Sequence, residues 1–161
     1  MSVEAKFTMT NLFSKSIDQY KAKDSDTIQK ALAKAALQFL AWANNGSTQS
    51  SRKPPIRWGV LRGSSSAFVG STHIGNSTTR IQPGAPENPT PNESYSGNKN
   101  EIVWGWNTEY AKKMHEWEGG WGPYTTQDGN AGAKWLEEHL QADKDMLMNL
   151  IGTFYKKEMG L

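Results

Sequence analysis

The chain of 161 residues contains no cysteine, which excludes a disulfide framework, a thiol nucleophile and any zinc site built on sulfur. No stretch approaches the roughly 18 apolar residues of a membrane span, and the opening residues lack the basic flank and apolar run of a secretory signal. Acids are missing from the middle of the chain: residues 27–86 hold seven Lys and Arg and no Asp or Glu. Residues 87–161 reverse this, with twelve acids against seven bases, so the formal net charge of +2 conceals a basic middle and an acidic end. Hydrophobic residues make up 36%, and seven Trp, five Tyr and five Phe supply anchors for one core. The expectation is a soluble intracellular protein with a single domain over 1–161.

Periodicity places the elements. Val3, Ala5, Phe7 and Met9 alternate with polar residues, as in a half-buried strand, and Asn11 is placed to cap a short helix bearing Leu12, Phe13, Ile17 and Tyr20. Ile28, Leu32, Ala35, Ala36, Phe39, Leu40 and Ala43 recur at helical spacing after the candidate caps Asp24 and Ser25, which predicts a helix over 25–44 ended by Asn44, Asn45 and Gly46. A polar connector follows, closed by Pro54 and Pro55. Small and β-prone residues from Leu61 to Ile74 and the run Glu101 to Trp106 read as two strands of an antiparallel hairpin. Residues 75–100 between them, rich in Asn, Pro, Gly, Ser and Thr, read as a long mobile tip. Leu136, Leu140, Leu147, Leu150, Ile151 and Phe154 mark one helix over 131–158, which Asp143 interrupts as a solvent-facing bend or a contact with another subunit.

Catalytic signatures are weak. His115 and Glu116 match the first half of a zinc-protease helix, but Gly119 stands where the second His is needed. His73, His115 and His139 have no ligand spacing, so no metal site is expected and a hydrogen-bonding or interface role is the favoured reading. Residues 59–64 lack the Lys-Ser/Thr of a phosphate loop. Glu116, Glu118 and Asp128 beside Trp117 and Trp121 could be imagined as a glycosidase pair, but spacing along a chain does not set the carboxylate separation such a mechanism needs. The reading is a protein that is not an enzyme, with neither catalytic residues nor a cofactor.

Binding features are stronger. Lys30, Lys34, Arg52, Lys53, Arg57, Arg62 and Arg80 could line a subunit interface facing an acidic patch, or a surface that meets nucleic-acid phosphates; subunit contacts are the favoured reading. Trp104 and Trp106 share one strand face and read as core, whereas Trp117 and Trp121, amid Gly and Glu, read as exposed partner anchors.

Three segments together resemble a known family. Residues 55–64, with Pro55, Gly59, Leu61, Arg62 and Ser64, are similar to the signature that follows the first long helix in the small neck proteins of tailed bacteriophages, although Trp58 stands where that family has a small hydroxyl residue. Tyr110 and Ala111 followed by His115 and Glu116 resemble its strand-end segment. Gly132, Lys134, Trp135 and Leu136 resemble the opening of its C-terminal helix. The resemblance, to the head–tail connector, tail-completion and minor-capsid group, covers about 25–158. It implies an α+β fold, with a small antiparallel sheet and long hairpin packed by a long central helix and a long C-terminal helix. It also implies a virion protein assembled in the host cytoplasm into a hexameric or dodecameric ring in the neck. Its partners there are copies of itself, portal or adaptor and tail proteins, and DNA in the lumen, with no membrane. Under that resemblance 75–100 is an arm reaching a neighbour, and Arg57 and Arg62 are the best candidates to face DNA or the next subunit. A carbohydrate- or surface-binding module using the Trp cluster and a small DNA-binding protein are the competing readings.

Overall fold

The computed structural model describes residues 3–8, 25–91, 94–95, 97–119 and 130–161, with backbone only for 3–8 and 25. The helix expected at 11–20, the cap Asp24 and Trp121 lie outside the described residues.

Helix α1 (Ser25–Asn45) forms where the apolar stripe predicts it. Ala35, Ala36, Phe39 and Ala43 on that stripe are fully buried, whereas Lys30, Lys34 and Gln38 on the other side are exposed. Gly46 ends the helix at φ 88°, its N–H returning to the Trp42 carbonyl at 2.7 Å. Strands β1 (Val3–Thr8), β2 (Ser65–Val69), β3 (Thr72–Asn76) and β4 (Glu101–Trp106) make one sheet in the order β1-β4-β2-β3, every neighbour antiparallel. The fold is thus α+β, as expected, with α1 laid across the sheet.

Two indoles fix that packing. Trp104 and Trp106 sit on the α1 side of β4, opposite Ala67 and Ser65 of β2. Trp104 Nε1–H donates to the Ala36 carbonyl at 2.9 Å and its ring lies 4.3 Å from that of Phe39. Trp106 Nε1–H donates to Asn44 Oδ1 at 3.0 Å, and Asn44 Nδ2 donates to Ser65 Oγ at 2.8 Å. Burying an indole N–H without an acceptor costs free energy, and α1 supplies an acceptor for each of these two.

The stretch from Leu61 to Ile74 is not one strand. Val60–Gly63 is a helical turn, α2, and only then do β2 and β3 run, joined through Gly70 at φ 58°. The pairing of β2 with β4 keeps the expected antiparallel relation, but β3 folds back on the opposite edge of β2. Of the segment 75–100, expected as a mobile tip, residues 75–76 belong to β3, and described residues beyond them lie back against the second face of the sheet. Tyr95 packs edge-on against Phe68 at 4.9 Å, and Asn107 Nδ2 donates to the Thr90 carbonyl at 2.8 Å.

The C-terminal helix is two helices. After α3 (Ala111–Glu116), α4 (Trp135–Ala142) and α5 (Lys144–Glu158) meet at Asp143, and α5 packs along α1 through Leu147 and Ile151. Asp143 is fully buried, so the solvent-facing bend expected there is overturned.

Gly105 of β4 leaves a notch that the Tyr95 ring fills: a Cβ there would stand 2.0 Å from Tyr95 Oη. Gly105→Ala is therefore expected to cost about 1–3 kcal/mol through overpacking. Chemical denaturation should show the loss, and combining the change with Tyr95→Ala should give less than the sum of the two single effects.

Candidate functional site

The connector at 46–55 carries hydroxyls and an arginine because its carbonyls and amides need partners away from regular structure. Ser47 Oγ donates to Asp143 Oδ1 at 2.5 Å and accepts from the amides of Gln49 and Ser50. Ser50 Oγ donates to Glu138 Oε1 at 2.6 Å, and Arg52 Nε donates to Glu138 Oε2 at 3.0 Å. The Ser50 hydroxyl and then Arg52 hold the Glu138 carboxyl below its ordinary range. Beneath them His139, fully buried, contacts the Arg52 carbonyl through Nε2 at 2.6 Å and Asp143 Oδ2 through Nδ1 at 2.5 Å. A carbonyl only accepts, so Nε2 carries a proton. The Nδ1 contact then shares one more proton with Asp143, and whichever partner holds it the pair is neutral overall. Sequence reasoning passed over this pair, although a His and an Asp four residues apart on an apolar helix stripe were a visible signal.

The three segments that carry the resemblance meet around this connector. The Ser64 hydroxyl donates to the Leu61 carbonyl at 2.7 Å and accepts from the Asn107 amide at 3.1 Å, joining the first segment to the strand end that leads to Tyr110. Lys53 pairs with Ala131 in an isolated parallel bridge, its N–H on the Asn130 carbonyl and its C=O receiving the Gly132 N–H, both at 3.1 Å. Lys134 N–H donates to the His115 carbonyl at 2.8 Å, and its ammonium is bonded to Glu116. The His115 ring meets Trp135 edge-on at 4.8 Å. Pro55, Gly59, Leu61, Arg62, Ser64, Ala111, His115, Trp135 and Leu136 are all buried, which makes these motif residues a frame; Glu116 and Tyr110 are exposed and Lys134 is half-buried. Gly59, at φ 86°, is obligatory on two counts, since a Cβ would also stand 2.8 Å from the Arg80 carbonyl.

The basic residues scatter. Arg62 is 7% exposed and donates through Nε and a terminal nitrogen to the Pro54 carbonyl at 3.0 and 2.8 Å. It therefore braces the turn, and its candidacy as a DNA-facing or interface residue is withdrawn. Arg52 pairs with Glu138 and Lys34 with Glu158, so part of the basic–acidic complementarity closes within the chain. Lys53 is half-buried in its bridge. Arg57 and Arg80 are exposed, the Arg57 guanidinium lying 5.3 Å from the Trp58 ring centroid.

Two clefts open beside the frame. One, of about 350 Å³, is lined by Pro55, Arg57, Trp58, Gly59, Val60, Leu61, Pro86, Glu87, Tyr110 and Met114. Partial burial and then Glu87 raise the Tyr110 hydroxyl above its ordinary pKa. The other, of about 360 Å³, is lined by Arg52, Trp117, Glu118, Gly132, Ala133 and Lys134. Trp117, expected as an exposed anchor, is 46% exposed, with Lys113 Nζ 5.9 Å from its ring centroid. Among the described residues one group has metal-ligand geometry: His115, Glu116 and Glu137 bring ligand atoms within 4.8 Å of one another. The Lys134 ammonium contacts both carboxylates there and already supplies the cation.

Comparison with known proteins yields no matching family model, no similar curated protein and no similar solved structure.

Removing His139 strands the Asp143 carboxylate in the core, so His139→Ala is expected to destabilise the fold by about 3–5 kcal/mol, read by urea denaturation. The Lys134 hydrogen bond and then that of His115 lower the Glu116 carboxyl from 4.5 to about 2. Its contribution is thus complete above the ordinary value and lost as pH falls through about 2. Carboxyl-detected NMR should find that midpoint, and Lys134→Ala should move it back towards the ordinary carboxylate range.

Proposed function

We propose that this chain is a structural subunit of the neck of a tailed bacteriophage virion, forming a ring that joins the portal or adaptor to the tail and leaves a lumen for DNA. One observation carries the reading: the three segments similar to neck proteins, far apart in sequence, meet in one hydrogen-bonded frame of an α+β subunit. Their burial gives a physical reason for those residue types to occur together. Around the frame stand exposed Tyr110 and Trp117, two of the five exposed large hydrophobic residues among the described residues, as befits a subunit that docks on others. Among the described residues no helix is long and apolar enough to cross a membrane.

A carbohydrate-binding module is the second reading, favoured by the half-exposed Trp117 indole beside Glu118, since sugars stack on indoles. The DNA-binding reading has lost Arg62 to the core, and Arg52 and Lys34 to carboxylates. Electron microscopy of the purified protein and of the parent particle tests the proposal. Sixfold or twelvefold rings, with labelled protein at the head–tail junction, are expected. A protein absent from the particle that binds glycans as a monomer would overturn it.

A further inference from the structure

Among the described residues, the cleft beside Trp117 is lined by Arg52 and Lys134 against Glu118 as its one acid, and the exposed Lys113 sets its ammonium 5.9 Å from the indole centroid. Only part of the Arg52 guanidinium is engaged within the fold. Its Nε–H meets Glu138, whereas its terminal nitrogens make no hydrogen bond among the described residues. One of them lies over Gly132, where a Cβ would stand 2.5 Å from it, so the glycine makes room for the guanidinium in the cleft wall. The hydrogen bond to Glu116 raises the pKa of Lys134 and so keeps its ammonium charged. Lys134 is also the one non-glycine residue among those described at positive φ, 56°, and strained backbone of that kind collects at binding sites.

These groups suit different parts of one ligand. The terminal edge of a guanidinium takes a carboxylate bidentately. A half-exposed indole takes the C–H face of a sugar ring, whose polarised C–H bonds meet the negative face of the aromatic system. Glu118 only accepts, so it receives hydroxyl protons and repels a doubly charged phosphate. We infer that the Trp117 cleft binds an acidic sugar, a hexuronate-type ring whose carboxylate pairs with Arg52, whose C–H face stacks on Trp117 and whose hydroxyls donate to Glu118. Lys113 and Lys134 add attraction for the anion as point charges without fixing its geometry. The cleft volume of about 360 Å³ lies within the range of small-molecule sites. This site goes beyond the neck reading and stands apart from it, since microscopy decides ring formation and a titration decides the cleft.

Tri-galacturonate added to the isotope-labelled full chain and followed by NMR is the test. Its methyl ester is the neutral probe with the same ring, and inorganic phosphate and tri-glutamate are anions without a sugar. Saturable movement of the Trp117 indole N–H, the Arg52 Nε–H and the Gly132 amide is expected, with the Trp58 indole N–H of the other cleft unmoved. The ester should bind the wild-type chain at least about tenfold more weakly, as should the acid to Arg52→Gln or Trp117→Ala. Lys30→Ala, on the exposed side of α1, should bind the acid as wild type does. Circular dichroism checks that the variants fold, and the mapping on the wild-type chain needs no variant. Absence of saturable binding, equal affinity for acid and ester, equal movement with phosphate or tri-glutamate, or movement centred on Trp58 would each overturn the assignment.

Discussion

A fully buried imidazole with both nitrogens engaged sets where the second half of this chain meets the first. His139 cannot leave the Arg52 carbonyl without burying an unsatisfied N–H, and it cannot leave Asp143 without stranding a carboxylate, so both ends of the contact are specified. Asp143 in turn holds Ser47, whose hydroxyl orders the turn after α1. One polar node therefore fixes the connector, the kink between α4 and α5, and the angle at which α5 returns along α1. Apolar packing alone would leave that angle loosely determined.

The node holds the rest of the frame in place. With the connector fixed, Lys53 bridges to 130–132, Arg62 braces Pro54, and Ser64 reaches Asn107, so the buried motif residues serve as scaffold. Around that scaffold Arg57, Arg80 and Tyr110 on one side of α3, and Trp117 and Glu118 beyond its other end, are exposed, and these are the side chains that the proposed subunit would offer to partners. Binding by a rigid surface avoids the ordering cost that a loose arm would incur. Tyr95 and Arg80 serve that same rigidity, Tyr95 seated in the Gly105 notch and the Arg80 carbonyl against Gly59.

Much of the fold was legible because it is periodic. The stripe of α1 reports a single buried face, whereas all six residues of β4 are buried, so that strand is covered on both faces; both elements fall where the sequence places them. The interval from Leu61 to Ile74 misled because its small residues suit a strand, whereas the Arg62 bond to Pro54 and the Ser64 bonds to Leu61 and Asn107, all tertiary or turn contacts, bend the chain first. The packing of Tyr95 was hidden for a related reason: a ring fitting a glycine notch leaves no period. Charge was the subtlest case. Composition revealed a basic middle and an acidic end, but it could not say that Arg52 meets Glu138 and Lys34 meets Glu158 in the same chain, or that Arg62 turns inward. Asp143 reads as a flaw in an apolar stripe because the stripe does not show that His139, expected in a hydrogen-bonding or interface role, is its partner.

The central claim is that the connector, the motif segments and the helix kink behave as one unit held by His139. Native-state hydrogen exchange followed by NMR at the Lys53 and Gly132 amides tests it most directly, because those two amides form the bridge and belong to no helix or strand. The account predicts that both are protected to the level of the β4 amides in the wild-type protein, and that His139→Ala releases both together. Exchange at the rate of a free loop in the wild-type protein, or protection that survives loss of the imidazole in a folded variant, would contradict it.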